Sequence, residues 1–196
     1  MEPEDYRGAG DDEAHDAIRQ HYETFFDREG RELTWPRGPG AHRLGAFRVL
    51  EVPPNERTAL WTYASVGAYA FTPPGEEAIE LVLLTEQPTG RGVELVTLAA
   101  TYHQTRRLQP GHRLPLGEPW LEGGTCDAFL VSRPHPFEAT FGTIPLGARS
   151  VRVLWLLPIT PAERRFAGDH GVEALEQRFD DAVVEYWRPG RASVVE

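Results

Sequence analysis

The feature that most constrains the fold of this chain is an apolar run that ends in a strong helix-start signal. Residues 151–157 are apolar except for Arg152, and Pro158 closes the run. A run of this length is typical of a buried strand near the centre of a sheet. Residues 160–163 (TPAE) then combine an N-cap threonine, a proline at the first helical position and a glutamate that can reach back to the cap. The sequence therefore predicts a central strand followed by a capped helix.

The charge balance narrows the range of partners. The 196-residue chain has 20 basic residues, all of them arginine, against 30 acidic residues, for a net charge of −10 at pH 7. Without lysine there can be no P-loop lysine, no Schiff base and no lysine general base. This negative net charge argues against nucleic acid or an anionic membrane as a binding partner, and it suits a basic protein better. Hydrophobic residues make up 40% of the chain, which is enough to build a core.

The N-terminal residues and the single cysteine favour a cytoplasmic location. Residues 1–5 are acidic and polar, no apolar stretch is long enough to span a bilayer, and one cysteine cannot form an internal disulfide. We expect residues 1–11 to form a flexible acidic arm, residues 12–187 a single domain, and residues 188–196 a tail that is frayed or bound to an edge.

Periodicity predicts the remaining elements. Apolar stripes indicate helices at residues 12–26 and 89–107, and a last amphipathic helix follows the glycine break at residues 168–171. Apolar runs and alternation predict strands in addition to the central one, at residues 44–52, 58–65, 78–85, 125–132 and 139–144. The first two of these should form a hairpin. The order α-ββ-β-α-β-β-β-α-α predicts one α+β domain with a mainly antiparallel or mixed sheet covered by helices.

Few residues are candidates for catalysis. Cys126 is the sole possible thiol nucleophile, with His103 or His112 as its conceivable base, but it alternates inside a predicted strand. His21 lies on the apolar stripe of the first helix and is interpreted as a residue at the edge of the core. The histidines lack metal-ligand spacing, and neither GxSxG nor GxGxxG occurs. We therefore predict no catalytic residue, no metal and no cofactor.

Four residues are candidate contacts for a partner. Arg106 and Arg107 could bind anionic groups, although they fit equally well as surface charges at the end of a helix. His112 follows the glycine of the next loop. Trp120 stands between loop residues, where a tryptophan is either a plug for the core or a binding anchor.

Several segments, taken together, resemble the suppressor of fused family, and in particular its small bacterial members. They are residues 61–67 (WTYASVG), residues 79–83 (IELVL), the helix that leads to residues 111–112 (GH), residues 116–120 (LGEPW) and residues 154–163 (LWLLPITPAE). None of them is a catalytic signature, and their order and spacing carry the resemblance.

The resemblance implies a suppressor-of-fused-like α/β sandwich that binds other proteins and is not an enzyme. In animals, the family member restrains a zinc-finger transcription factor by capturing a short peptide as an added strand between two lobes. Bacterial members resemble immunity proteins of polymorphic toxin systems. This chain has the length of one lobe, so the two-lobed clamp does not carry over.

Three hypotheses about function follow. The favoured one is a cytoplasmic module that binds and neutralises a toxin. If the toxin is basic, the acidic charge of this chain would steer the association of the two proteins. The second is a small hydrolase that uses Cys126 with a histidine. The third is a regulatory domain that adds a peptide to a sheet edge, which an exposed edge strand without proline or charge would support.

Overall fold

The computed structural model describes residues 9–37, 44–135 and 137–196. The helices are α1 (Ala9–Phe26), α2 (Gly90–Arg106), α3 (Pro161–His170) and α4 (Val172–Ala182). The strands are β1 (Arg31–Leu33), β2 (Arg48–Val52), β3 (Trp61–Val66), β4 (Ala78–Thr85), β5 (Arg113–Pro115), β6 (Ala128–Ser132), β7 (Thr143–Leu146) and β8 (Arg149–Ile159). A short 3-10 helix, Ala68–Phe71, follows β3.

The strands form one sheet in the order β1-β2-β3-β4-β8-β6-β5, and β7 pairs with β8 beside this path. Strand β4 runs parallel to β8, and the other strand pairs are antiparallel. Strand β8 lies between β4 and β6, and residues 153–159 are buried. The predicted central strand and the predicted α+β sheet covered by helices are therefore confirmed.

Two layers of helices cover the sheet. Helix α2 packs on one face, where Val93 and Val96 join Leu81, Leu83 and other side chains in one core. Helices α1, α3 and α4 pack on the opposite face, where their core residues are Ile18, Tyr22, Phe26, Ala167, Leu175 and Phe179. Because each strand alternates its side chains between the two faces, the inner strands have to be apolar on both sides.

Most predicted elements lie where the sequence placed them. Helix α2 matches the prediction within a residue, with Thr89 as its N-cap and Arg107 as its C-cap. Strands β2 and β3 form the expected antiparallel hairpin. Helix α1 begins at Ala9, so the last residues assigned to the acidic arm belong to a helix, and residues 1–8 lie outside the described part of the chain.

Four details of the predicted strands differ from the structure. Strands β1 and β5 were missed because each has three residues and carries exposed charged side chains, which leaves no apolar pattern. Strand β7 begins at Thr143, because residues 139–142 form a turn. Cys126 precedes β6, so it does not lie inside a strand.

The C-terminal segment is held in place by a buried ion pair. Glu163 forms the predicted capping box: its backbone N–H donates to Thr160 Oγ1 (3.2 Å), and its Oε2 accepts from the backbone N–H of Thr160 (2.8 Å). Arg191 then donates from Nη1 and Nη2 to the two Glu163 oxygens, at 2.6 Å each. It also donates to the carbonyl of Pro158 (2.9 Å), at the end of β8. The segment predicted to be frayed or bound to an edge is therefore anchored to the domain through Arg191.

None of the helices in the described part of the chain is long and apolar enough to span a lipid bilayer.

This ion pair leads to a stability prediction. Arg191→Ala leaves the fully buried Glu163 carboxylate without its cationic partner, and we expect a loss of about 3–5 kcal/mol in the free energy of unfolding. Arg188→Ala is the matched control, because Arg188 forms an exposed pair with Glu185 (3.0 Å) and should cost under about 1 kcal/mol. Urea unfolding of both variants at pH 7 measures the difference, and equal losses would contradict the assigned role of Arg191.

Candidate functional site

The structure places Trp120 inside the protein. Its side chain is fully buried, and its ring contacts Phe129 edge-on at 6.4 Å between centroids. It belongs to the core beneath α2, together with Leu114 and Cys126. A side chain without exposed surface offers a partner no contact, so its burial favours the core-plug alternative.

Arg107 is engaged within the protein. It takes a left-handed backbone conformation (φ 54°) at the C-cap of α2. Its Nη1 donates to the carbonyl oxygens of Phe71 (2.6 Å) and Gln104 (2.9 Å). The guanidinium thus caps the last turn of α2 and ties it to the 3-10 helix. Arg106 and His112 are exposed, and their role as partner contacts stays a prediction.

Arg107 lines a polar cleft of about 410 Å³, but Arg106 and His112 do not. The predicted site residues are therefore not brought into one pocket. Charges in the cleft are paired: Arg152 contacts Glu77 at 2.6 Å, and Arg107 lies 3.9 Å from Glu76. A cleft with balanced ion pairs has no free charge with which to select a ligand.

His103 at the back of this cleft is a neutral structural residue. Its Nδ1 accepts from the backbone N–H of Leu108 (3.0 Å), so Nε2 carries the proton and donates to Thr72 Oγ1 (3.0 Å). Burial, and to a lesser degree the Arg107 charge, lowers the pKa of His103 to about 4. Both ring nitrogens are occupied, which leaves none to act as a base for Cys126.

Cys126 is buried in the core beneath α2 that also contains Trp120. Burial raises the pKa of its thiol to about 11, although the nearby Arg191 charge acts in the opposite direction. A reactive cysteine needs access and a stabilised thiolate, and Cys126 has neither. Within the described residues, no three His, Cys, Asp or Glu side chains are grouped in a way that could hold a metal ion.

Glu80 is a second buried carboxylate, on the face of the sheet that α1 covers. Its Oε1 accepts from the backbone N–H groups of Gly67 (3.0 Å) and Tyr69 (3.1 Å), and Ser65 Oγ donates to Oε2. Burial raises the pKa of Glu80 to about 7, even though these hydrogen bonds favour the charged form. Glu80 therefore organises the turn after β3, and it titrates near neutral pH.

The raised pKa predicts how stability depends on pH. Because the folded pKa of about 7 exceeds the ordinary value of 4.5, the folded state holds a proton that the unfolded state releases. The stabilisation by protonated Glu80 is complete below about pH 4.5 and is lost as the pH rises through 7, by about 1.4 kcal/mol per pH unit between the two values.

Glu80→Gln keeps the shape of the protonated acid and removes the titration. Relative to this variant, the wild-type protein should become less stable between pH 5 and pH 8, as measured by urea unfolding at intervals across this range. If the unfolding free energies of the two proteins change in parallel between pH 5 and pH 8, the raised pKa of Glu80 is contradicted.

The remaining prominent feature is a groove of about 840 Å³ between the end of α4 and the C-terminal segment. Its apolar lining residues are Ala182, Val183, Val184, Pro189, Ala192 and Val194. Its charged lining residues are Glu86, Glu185, Arg188 and Arg191. We refer to this surface as the α4 groove.

Sequence reasoning missed the α4 groove. One signal was available in the sequence. Helix α4 ends on two acids without a basic residue in its last turn or a glycine at the C-cap, where Val183 stands instead. Both choices are locally unfavourable at a helix C-terminus.

The architecture defines the class of this protein: an α+β sandwich with a seven-strand sheet path between two helical layers. The family whose description is "Suppressor of fused protein (SUFU)" matches residues 43–192. This match spans most of the chain, so the protein belongs to the suppressor of fused family, as the sequence resemblance predicted.

Solved structures agree with this assignment. A suppressor of fused homologue from Neisseria gonorrhoeae has 30% sequence identity and a TM-score of 0.82, over 93% of this chain and 97% of that one. A chain of the Sufu–Fu complex has 13% identity and a TM-score of 0.69, over 92% of each chain. Drosophila Suppressor of Fused has 14% identity and a TM-score of 0.69, and the match spans 92% of this chain but 51% of the Drosophila chain. The last two, at low identity, show the shared fold. No curated protein matches the chain in sequence.

Proposed function

We propose that this chain is a cytoplasmic protein-binding module, namely an immunity protein that neutralises a bacterial toxin by binding to it. Membership of the suppressor of fused family supports a binding role, since a solved relative with the same fold is part of the Sufu–Fu complex. The groups that could have supported catalysis also favour this choice: Cys126 is buried, and both nitrogens of His103 are occupied.

The surplus of negative charge is the observation that carries the proposal. Among the described residues, nine arginines form ion pairs with acidic side chains. Because 30 acidic residues stand against 20 arginines, a net charge of −10 remains whichever of them form pairs. The electrostatic field of this negative charge speeds association with a basic partner. The same field repels nucleic acid, whereas a basic toxin would attract it.

The edges of the sheet do not favour the alternative of a peptide added as a strand. Edge strand β1 carries Arg31 and Glu32, and edge strand β5 carries Arg113 and Pro115. Short edges with charges and proline are typical of strands protected against further pairing. The support that an uncharged edge without proline would have given to this hypothesis is therefore missing from β1 and β5, and β7, which pairs with β8 beside the sheet path, contains Pro145.

The proposal predicts a salt-dependent complex. If a neighbouring gene encodes a toxin that arrests growth, co-expression of this chain should restore growth, and the purified pair should elute as one complex in size-exclusion chromatography. Because charge steers the encounter, the association rate should fall by about tenfold or more between low and physiological salt, while the dissociation rate changes little. Growth arrest that this chain does not relieve, with both proteins present at equal levels, would contradict the proposal.

A cysteine substitution separates binding from catalysis. Cys126→Ala removes the sole thiol and should leave toxin neutralisation and complex formation unchanged, because the side chain contributes to packing only. Growth protection measured over a range of expression levels checks this. Loss of protection by a variant that still folds and still binds the toxin would favour the hydrolase hypothesis.

A further inference from the structure

A cleft of about 440 Å³ lies at a gap in the sheet between β6 and β7, and we refer to it as the β6–β7 cleft. Both strands pair with the edge of β8 that faces away from β4, β6 at residues 155–159 and β7 at residues 149–152. Val153 lies between these two stretches. It lines the cleft together with Arg133, which follows β6, and Thr143, which begins β7. The strand pairing itself therefore creates the cleft.

The walls of the β6–β7 cleft are held by contacts within the protein. The ring of Phe137, a lining residue, packs against Phe141 at 4.5 Å and against Phe26 of α1 at 5.5 Å between centroids. The backbone N–H of Val153 donates to the carbonyl of Gly142 (3.0 Å), which ties the residue before β7 to β8. A cleft whose shape is fixed in advance loses less conformational entropy when a ligand binds.

The charges in the lining leave one cation without a partner. Glu138 pairs with Arg57 at 3.3 Å, and Arg152 pairs with Glu77 at 2.6 Å, so residues outside the lining neutralise both of them. Arg133 is exposed, and it forms no ion pair with any residue in the described ranges. The free charge of this cleft is therefore positive, in a chain whose net charge is −10.

The same cleft offers hydrogen-bond donors and apolar surface. The side chains of His135 and Thr143 line it and can donate hydrogen bonds. Its apolar lining residues are Pro134, Phe137, Ala139 and Val153. A guanidinium binds carboxylate and phosphate oxygens through charge-assisted hydrogen bonds, while an apolar wall covers the rest of a ligand. The volume of about 440 Å³ suits a small molecule.

We propose that the β6–β7 cleft binds a small organic anion, in which a carboxylate or a phosphate group is joined to an apolar body. Arg133 would bind the anionic group, and Phe137 and Val153 would cover the apolar body. This inference goes beyond the proposed function, because the site needs neither a toxin nor the acidic surface. The polar cleft at His103 differs from it in having its arginines matched by acids.

Titrations into ¹⁵N-labelled protein test the class of ligand. The probes are phenylacetate, phenyl phosphate and phenylacetamide, which share a ring and differ in the polar group. The tighter of the two anions identifies that group, and neutral phenylacetamide should bind at least about tenfold more weakly than this anion. Acetate, which lacks the ring, should bind about tenfold more weakly than phenylacetate because it buries little apolar surface.

Two variants test the cleft in different ways. Arg133→Gln removes the free charge, and Ala139→Phe fills the cleft from an exposed position while keeping that charge. The control is Arg165→Gln, which removes an exposed arginine of α3 that lies outside the lining. Both cleft variants should weaken binding of the tighter anion by at least about fivefold, and the control should leave it unchanged. Because all three positions are exposed, the melting temperatures should stay close to that of the wild type.

The position of the chemical-shift changes decides where the anion binds. Changes centred on the amides of Gly142, Thr143 and Val153 would support the inference. No change with either anion at millimolar concentration, or equal affinities for the wild type and Arg133→Gln, would overturn it. Binding of phenylacetamide as tightly as the anions would also overturn it. None of these results bears on the proposed function, since toxin neutralisation does not enter the test.

Discussion

The buried pair between Glu163 and Arg191 connects the end of β8 and the start of α3 to the C-terminal segment, 28 residues further along the chain. Glu163 completes the cap of α3, and Arg191 bridges this cap to the carbonyl of Pro158 at the end of β8. The backbone N–H of Val194 donates to Glu163 Oε1 (3.0 Å), so the C-terminal segment is bound at the arginine and again three residues beyond it. A fully buried carboxylate is costly unless its oxygens are occupied, and here both oxygens accept at least two hydrogen bonds. The strand, the helix and the final segment consequently stabilise one another.

The same interaction positions the α4 groove. One wall of the groove is the end of α4, and the other is the segment held by Arg191. Both partners of the pair lie within residues 43–192, the region that matches the suppressor of fused family. The structural match to the Neisseria homologue covers 93% of the chain, which is more than this region alone, so the likeness extends beyond it. The central sheet, with the capped helix and the anchored segment, is thus the part of the fold that sequence and structure both identify.

An element could be predicted from the sequence where its formation depends on interactions between residues that are close in the chain. The run at residues 151–157 and the TPAE signal define β8 and α3, because apolar burial and capping act through neighbours in the chain. Strand β5 could not be predicted, since its three residues are set by pairing with β6 and not by their own pattern. Arg191 looked like part of a loose tail because its partner is 28 residues away, and no periodicity reports a contact of that kind.

The candidate site was less predictable than the fold, and for a physical reason. Sequence patterns identify positions that obey the rules of stability, whereas a docking surface is often made of positions that break them. Trp120 attracted attention because of its residue type, and it proved to be a well-packed core residue. Val183 and the aspartates before it became noticeable only when their backbone geometry and exposure were known together. In this chain, backbone geometry and exposure say more than residue type about which side chains a partner could reach.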